Sequence, residues 1–171
     1  MNDLLSLMES RCSVRSFKDQ KIEEVKVKKI LEAAKASLTA CNKQPQLIYV
    51  IESKEGLEKL SKCKHQKFNE QLAFLVCYDK DACWVRDYDG HISGEIDASI
   101  VATHMILEAE SLGVNSTWIM HFDPQAVREE FELKNNIIPV CILAMGYKVD
   151  DYKPSNMHAN RKDIEKFIVK C

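Results

Sequence analysis

Glycine is scarce in this chain, and the nucleotide-binding motifs that are built from glycine are absent. The five glycines lie at positions 56, 90, 94, 113 and 146, and they form neither G-x-G-x-x-G nor G-x-x-x-x-G-K-[ST]. The first motif holds a dinucleotide in a Rossmann fold, and the second holds nucleotide phosphates in a P-loop. If this protein binds a phosphate, it must hold it with side chains rather than with a glycine-rich backbone.

Metal-binding and hydrolytic signatures are missing as well. The seven cysteines form no C-x-x-C pair, so neither a disulfide framework nor a zinc ribbon is expected. The sequence also has no H-E-x-x-H and no G-x-S-x-G motif. Cys63 and His65 lack a second ligand pair at suitable spacing, so we interpret them as surface residues and expect no metal. A Cys–His nucleophile pair is not excluded, because such residues meet only in space, but nothing local supports one.

Charge and hydropathy exclude further classes. The formal net charge of −2 gives no bulk attraction to nucleic acid or to a membrane surface. No uninterrupted apolar run approaches the ~20 residues that span a bilayer, and the amino-terminal decapeptide lacks the basic start and cleavage site of a secretory signal. The scattered cysteines fit a reducing cytoplasm. With 171 residues, 46% of them hydrophobic, we expect one globular domain over 1–171.

The most strongly specified element is the segment 95–112, EIDASIVATHMILEAESL. Its apolar residues reach almost all the way round a helix, which predicts burial in a core or in a subunit interface. Gly113 follows at the position where a left-handed cap ends a helix. We interpret His104, in the middle of this segment, as a core or interface histidine rather than a catalytic base.

Helices and strands alternate along the remaining chain, with no repeat, linker or low-complexity segment. The apolar run 72–78 is typical of a strand that is buried on both faces. The polar segment 79–93 predicts a loop or lid with a short helix. We expect an α+β or α/β domain with helices at 2–10, 23–37, 52–60, 124–132 and 163–169 and strands at 46–51, 72–78, 116–120 and 137–147. The helix 23–37 is expected to bury Val25, Val27, Ile30, Leu31, Ala33 and Ala34.

Two arginines four residues apart flank a hydroxyl in the heptapeptide RCSVRSF. Guanidinium donors match the geometry of a phosphate, so Arg11, Ser13 and Arg15 could together grip one anionic group. The heptapeptide alone is equally consistent with a basic turn on a solvated surface. Both interpretations stay open at this point.

Four segments in order resemble the FMN-dependent nitroreductase family: RCSVRSF (11–17), SLTACNKQP (37–45), the block 96–124, and the tail 137–162. The resemblance implies an α+β fold in which helices flank a mixed, mainly antiparallel central sheet. It implies a homodimer with the long central helix at its interface and two FMN molecules, each contacted by both subunits. It also implies an NAD(P)H oxidoreductase that reduces nitroaromatic, quinone or related acceptors by ping-pong hydride transfer through flavin N5, with NADH or NADPH as donor.

FMN carries a phosphate at one end and, at the other, a ring that becomes negative at N1 and O2 on reduction, so it needs cations at both ends. The candidates for the phosphate end are Arg11, Ser13, Arg161 and Lys162, and the candidate for the pyrimidine edge is Arg15. The resemblance places Asn42 near the ring or ribityl chain, and Ser37, Leu38 and Thr39 against the flavin of the other subunit. It further implies backbone contacts to FMN from Cys12, Met120 and His121. No side chain is nominated as catalytic.

The chain departs from the family pattern beside the flavin. Leu38 stands where many members have Pro, and Gln46 follows Pro45 where many have Trp, so the resemblance does not imply the shape of the substrate pocket. Two alternatives stay open. One is an FMN-binding protein with little turnover, such as a flavin store or redox sensor, and the other is a flavin-free protein whose central helix serves only dimerisation. On their own, Arg161 and Lys162 could also be helix-flanking charges, and His121 a loop histidine.

Overall fold

The computed structural model of this chain describes residues 3–171. Its sheet has four strands in the order β1-β2-β4-β3, and every neighbouring pair is antiparallel. The strands are β1 Gln46–Ile51, β2 Leu72–Asp79, β3 Asn115–Ile119 and β4 Ile137–Gly146. The helices are α1 Leu4–Ser10, α2 Glu24–Lys35, α3 Lys54–Lys62, α4 Gly94–Ser111 and α5 Pro124–Glu130. The predicted α+β fold with a mainly antiparallel sheet flanked by helices is confirmed.

The two inner strands carry the core. All but the last residue of β2 are buried, as its uninterrupted apolar sequence predicts. The register of β2 against β4 shifts between Val76 and Cys77, because Val76 lies opposite Cys141 whereas Cys77 lies opposite Pro139. Proline has no N–H to donate to a ladder, and a bulge accommodates it within an inner strand.

Alternate residues of β2 point to opposite faces of the sheet, and each face is covered by different elements. Phe74 and Val76 belong to a core that includes residues of α2 and α4. Leu75 belongs to a second core, which contains residues of α3 and α5 together with Val14 and Phe17 from the 11–17 segment. The sheet is thus a middle layer, and the heptapeptide with its two arginines is anchored in the second core.

Helix α4 is placed close to the sheet by a glycine at its first position. A Cβ atom at Gly94 would lie 2.3 Å from the ring of Tyr78, so only glycine permits this approach. The face of α4 that includes Ala98, Val101 and Met105 is fully buried. The opposite face stays apolar but is open, with Ile96 55% exposed. Gly113 follows the helix with φ of +72°, as the sequence predicts.

Three sequence predictions about local structure are wrong. Val25 is 63% exposed, because two helical positions turn it about 200° away from buried Val27. Cys63 is buried rather than on the surface: it ends α3, and its thiol donates to the carbonyl of Lys59 at 3.4 Å. The segment 163–169 forms only a 3₁₀ turn, Ile164–Lys166, since isolated short helices need a packed face and its apolar side chains are exposed.

The amino-terminal helix begins at Leu4, and Asn2, where the predicted helix starts, lies outside the described residues. Within residues 3–171, no helix combines the length and apolar character that a membrane crossing requires.

Candidate functional site

The 11–17 segment forms an extended edge along the sheet. The N–H of Val14 donates to the carbonyl of Ser116 at 2.9 Å, which makes a parallel bridge beside β3. The hydroxyl of Tyr152 donates to the carbonyl of Ser13 at 2.6 Å and fixes the segment from the other side. Val14 is fully buried while Arg15 is exposed, as alternation along extended backbone requires. The sequence therefore presents its polar side chains outward from a rigidly held backbone.

These side chains line a cavity of about 200 Å³, which we call the arginine cavity. Five of the predicted cofactor residues meet in its wall: Arg11, Cys12, Ser13, Arg15 and Arg161. Ser155, Met157 and His158 complete it. The wall itself contains no carboxylate, so the positive charge of its three arginines is not balanced within the wall. Lys162 is exposed and does not line the cavity.

A half-buried carboxyl group lies next to this cavity. Burial raises the pKa of Glu110, and the charge of Arg11 opposes that rise. The Oε2 atom of Glu110 is buried and accepts no hydrogen bond within residues 3–171. Arg11 therefore serves two neighbours: the cavity and the carboxyl group at the carboxyl-terminal end of α4.

Arg15 also lines a second, wider space of about 670 Å³, which we call the lysine chamber. Its other walls come from the first turns of α3, the loop 64–71 and Lys21. A volume of this size lies within the range of small-molecule sites. Arg15 belongs to both walls, so the arginine cavity and the lysine chamber adjoin at this residue.

The wall of the lysine chamber contains a buried ion pair that the sequence did not reveal. The ammonium group of Lys64 lies 2.8 Å from the carboxylate of Glu70, and the two side chains are 1% and 9% exposed. Lys64 also donates to the carbonyl of Gln66 and lies 5.4 Å from the centre of the Phe68 ring. A buried charge of this kind is retained only with such a set of partners. The pair therefore fixes the loop that separates α3 from β2.

Asn69 ties the same loop to the arginine segment. Its backbone has φ of +58°, and its side-chain amide donates to the carbonyl of Phe17 at 3.1 Å. Asparagine tolerates this left-handed conformation better than most residues, and this was the one local signal that the sequence offered here. Because the loop has no hydrophobic period, no sequence pattern pairs Lys64 with Glu70.

The loop 37–45 is built around a different anchor, at the amino-terminal end of α4. The N–H of Ala40 donates to Oδ1 of Asp97 at 2.8 Å, and the N–H of Gln44 donates to the hydroxyl of Thr39 at 3.0 Å. Ser37 and Thr39 are each 8% exposed, whereas Leu38 is 65% exposed. Asn42 is exposed, and it has a positive φ, as do Cys41 and Gln44.

Within one chain, the two predicted halves of the cofactor site are far apart. The loop 37–45 is attached to Asp97, whereas Arg11 acts on Glu110, thirteen residues further along the helix. At 1.5 Å per residue, these positions are separated by roughly 20 Å along α4. The structure thus groups the arginines in one place and Ser37, Leu38, Thr39 and Asn42 in another.

Met120 and His121 follow β3 and lie beside the loop 64–71. Met120 is 71% exposed. The side-chain amide nitrogen of Gln66 lies at hydrogen-bond distance, 2.9 Å, from Nδ1 of His121. A cavity of about 250 Å³ opens here, and Lys64 lines both this cavity and the lysine chamber. The ring of His65 lies 5.9 Å from that of His121, but residues 3–171 contain no cluster of three metal-ligating side chains.

Comparison with known proteins points in one direction. Residues 3–170 match the protein family described as "Putative TM nitroreductase". A nitroreductase family protein from Clostridium difficile 630 superposes with a TM-score of 0.91 and is 40% identical, with 99% of this chain and 98% of that chain covered. The "Putative NADH dehydrogenase/NAD(P)H nitroreductase" of Archaeoglobus fulgidus is 28% identical over 158 residues, which cover 88% of each chain.

A further structure, from Exiguobacterium sibiricum 255-15, is a "putative nitroreductase in complex with FMN". It superposes with a TM-score of 0.84 over 100% of this chain and 98% of that chain, and its 21% identity bears on the fold alone. The family match spans almost the whole chain, and the identity to one solved member is substantial. This chain belongs to the nitroreductase family.

Proposed function

We propose that the protein binds FMN and uses NADH or NADPH to reduce nitroaromatic, quinone or related acceptors. The observation that carries the proposal is the arginine cavity, where Arg11, Arg15 and Arg161 converge with Ser13 in a wall that contains no carboxylate. The lysine chamber, which shares Arg15 with the arginine cavity, provides room for the larger group to which the anion is attached. The names of the matched relatives support an NAD(P)H oxidoreductase, and the FMN-bound neighbour supports the choice of flavin.

The residues of the arginine cavity fit a phosphate monoester. Guanidinium groups can each donate two parallel hydrogen bonds to phosphate oxygens, and the Ser13 hydroxyl adds a further donor. Uncompensated positive charge favours the dianion over the neutral riboflavin end. Since the glycine motifs are absent, these side chains would provide the whole phosphate site. Lys162 stays a prediction, as it lies outside the cavity wall.

Arg15 is the residue that would act on the other end of the cofactor. When bound, FMN supplies a ring that accepts a hydride at N5 from a nicotinamide and returns it to an acceptor in a second half-reaction. A guanidinium beside the pyrimidine edge would stabilise negative charge there and favour the first half-reaction. The backbone of Met120 and His121 would approach N5 from the end of β3, with His121 oriented by Gln66.

The remaining residues would position rather than transfer protons. The buried Lys64–Glu70 pair and Asn69 would hold the loop 64–71 in place beside the ring. Alternate binding of donor and acceptor on one ring face requires only a shared, ordered surface, so no acid or base is assigned.

We further propose that two copies of the chain complete each site. The open face of α4 is apolar, with Ile96 exposed, as expected of a subunit interface. If α4 packs antiparallel against its counterpart, the loop 37–45 of one copy comes near the arginine cavity of the other. This arrangement would account for the roughly 20 Å that separates the two predicted halves within one chain. The seven cysteines, all of them free, support the expectation of a reducing cytoplasm.

The decisive experiment is the absorption spectrum of the purified protein, followed by identification of the molecule released on denaturation. We expect flavin bands and about one FMN per subunit. The bound flavin should then be bleached anaerobically by NADH or NADPH and recoloured by nitrofurazone or menadione. A colourless protein that also fails to bind added FMN would exclude the proposal. A coloured protein that neither nicotinamide reduces would instead indicate a flavin carrier or sensor.

Light scattering on the eluting protein tests the second copy. We expect twice the mass of the chain, and Ile96→Glu should shift the population toward the monomer and release FMN. A monomer that retains stoichiometric FMN would show that one chain holds the whole site.

A further inference from the structure

The lysine chamber is lined by several positively charged side chains to which FMN binding assigns no role. Besides Lys64, three lysines line it from three separate parts of the chain: Lys21 precedes α2, Lys54 is the first residue of α3, and Lys67 lies in the loop 64–71. Within residues 3–171 none of these three forms an ion pair, although other residues form eight such pairs. Arg15 adds a fourth cation at the junction with the arginine cavity.

Carboxylates in the wall do not balance these cations. Glu70 is neutralised by Lys64 at 2.8 Å, which leaves Glu52 and Glu58, both exposed, against the four unpaired cations. The chain as a whole has a net charge of −2, so the excess of positive charge is a local property of this chamber. A concave space lined by one sign of charge concentrates ligands of the opposite sign.

The position of Lys54 is unfavourable for its own helix. The amino-terminal end of a helix carries partial positive charge, and a cation there is destabilising. The helix is instead started by Ser53, whose hydroxyl accepts the N–H of Gly56 at 3.0 Å. Local helix stability therefore does not explain Lys54. In the chamber, however, the ammonium group of Lys54 and the amino-terminal end of α3 both contribute positive electrostatic potential.

The chamber also offers apolar contact to a flat molecule. Leu57 of α3 and Phe68 of the loop 64–71 both line it. Phe68 is half-buried, so part of its ring is available. Planar aromatic compounds with one anionic substituent match this combination of an aromatic wall and several cations.

We propose that the lysine chamber binds the anionic group, a phosphate or a carboxylate, of the enzyme's planar substrate, with Lys54 and Lys67 as its specificity-determining residues. This inference rests on the proposed function, because it assigns the chamber beyond Arg15 to a substrate of that reaction. The phosphate could come from the 2′-position of NADPH, and the carboxylate from an aromatic acceptor. Binding alone is proposed, with no additional covalent or redox step.

Calorimetric titration of the purified protein separates these sources. In the first arm NADP⁺ is compared with NAD⁺, which differ only by the 2′-phosphate and do not react without a reductant. In the second arm 4-nitrobenzoate is compared with 4-nitrobenzamide, a neutral molecule of nearly the same shape. We expect at least one anionic member to bind about tenfold more tightly, since two exposed ion pairs together contribute about that factor. The preference should shrink as the salt concentration is raised.

The variant Lys54→Gln/Lys67→Gln should abolish the preference for the anionic member. A matched control is Lys28→Gln/Lys29→Gln, which removes the same charge from exposed positions on α2 outside the chamber and should retain the preference. No preference in either arm, or a preference that the Lys54/Lys67 variant keeps, would overturn the inference.

The FMN content and the bleaching by nicotinamide are measured on the same preparations. A protein that contains FMN and turns over neutral acceptors but shows no anion preference would refute the chamber assignment and leave the proposed function standing. Failure of the unsubstituted protein to bind FMN would refute the proposed function itself. Because the titrations use unreactive ligands, they report on the chamber in either case.

Discussion

Asp97 and Ala40 are joined by a hydrogen bond of 2.8 Å between a buried carboxylate and a backbone N–H. The carboxylate of Asp97 is 1% exposed and also accepts the hydroxyl of Ser93 at 2.6 Å. The same Ser93 hydroxyl accepts the N–H of Trp84 at 3.2 Å. One side chain on α4 therefore holds both the loop 37–45 and the beginning of the segment 84–93.

Substitution of Asp97 by alanine should loosen both loops. We expect a loss of about 3 kcal/mol in the free energy of unfolding, because a charged acceptor is removed and its buried donors are left unsatisfied. Asp97→Asn should lose less, since its amide oxygen can still accept one of the hydrogen bonds. Urea denaturation measures both. The control Ser10→Ala removes an exposed hydroxyl that bonds only within α1 and should change stability by under about 0.5 kcal/mol.

Removal of arginines from the arginine cavity should selectively weaken binding of the FMN phosphate. In the double variant Arg11→Ala/Arg161→Ala, FMN affinity should fall by at least about 100-fold, since each charged hydrogen-bonding partner contributes about 1.5–3 kcal/mol. Riboflavin, which lacks the phosphate, should be affected far less. Fluorescence titration of the apoprotein with each flavin gives the two affinities. Equal losses for FMN and riboflavin would show that the arginines support the fold rather than the phosphate. The double variant Lys28→Ala/Lys29→Ala on α2, which removes the same two charges outside the cavity, controls for net charge.

Arg15 should influence the reduction potential of bound FMN more than its affinity. Arg15 lines both the arginine cavity and the lysine chamber, and the proposal places the pyrimidine edge beside it. Arg15→Ala should lower the midpoint potential, because positive charge near N1 and O2 favours the reduced form. Arg15→Lys should recover part of the shift. A potential that is unchanged in Arg15→Ala would place the guanidinium away from the ring.

The sequence predicted the elements that have a strong hydrophobic pattern, and it predicted the cofactor residues that form a recognisable motif. The helix over 95–112 is confirmed as Gly94–Ser111, and the strand 46–51 is found as Gln46–Ile51. Arg11, Arg15 and Arg161 do meet in one cavity, although about 150 residues separate the first from the last. The resemblance to a family, rather than any local rule, linked the tail to the heptapeptide.

The lysine chamber could not be predicted in the same way. Its walls come from Lys21, α3 and the loop 64–71, which carry no shared motif and approach one another only through the packing of the second core. The Lys64–Glu70 pair was invisible because charged residues in a segment without periodicity are ordinarily exposed. The prediction for Val25 was wrong for the opposite reason. Its apolar side chain suggested burial, but Val25 does not lie on the buried face of α2.

The Lys64–Glu70 pair should be costly to break from either side. Glu70→Gln leaves an uncompensated buried ammonium and Lys64→Met leaves an uncompensated carboxylate, so each should destabilise the protein by about 3–5 kcal/mol. Thermal unfolding measures the effect. The control is Lys62→Met, which breaks a more exposed pair with Glu130 and should cost under about 1 kcal/mol. A loss as small as that of the control would show that Lys64 and Glu70 are solvated in solution.

Glu110 gives the protein a specific dependence of stability on pH. Burial raises its pKa above the ordinary 4.5, with Arg11 acting in the opposite direction. Between pH 4.5 and the raised pKa of Glu110, the folded state binds more protons than the unfolded state. The contribution of Glu110 to the free energy of unfolding therefore falls as the pH rises through this window. Glu110→Gln cannot ionise and should lose this component of the pH dependence.

The difference in unfolding free energy between Glu110→Gln and the unsubstituted protein, followed from about pH 4 to pH 8, isolates this residue from other titrating groups. It should move in favour of the glutamine variant as the pH rises and then level off. In an Arg11→Ala background the window should extend to higher pH, because the charge that lowers the pKa of Glu110 has been removed. A difference that does not vary with pH would mean that Glu110 is fully solvated and that Arg11 acts on the arginine cavity alone.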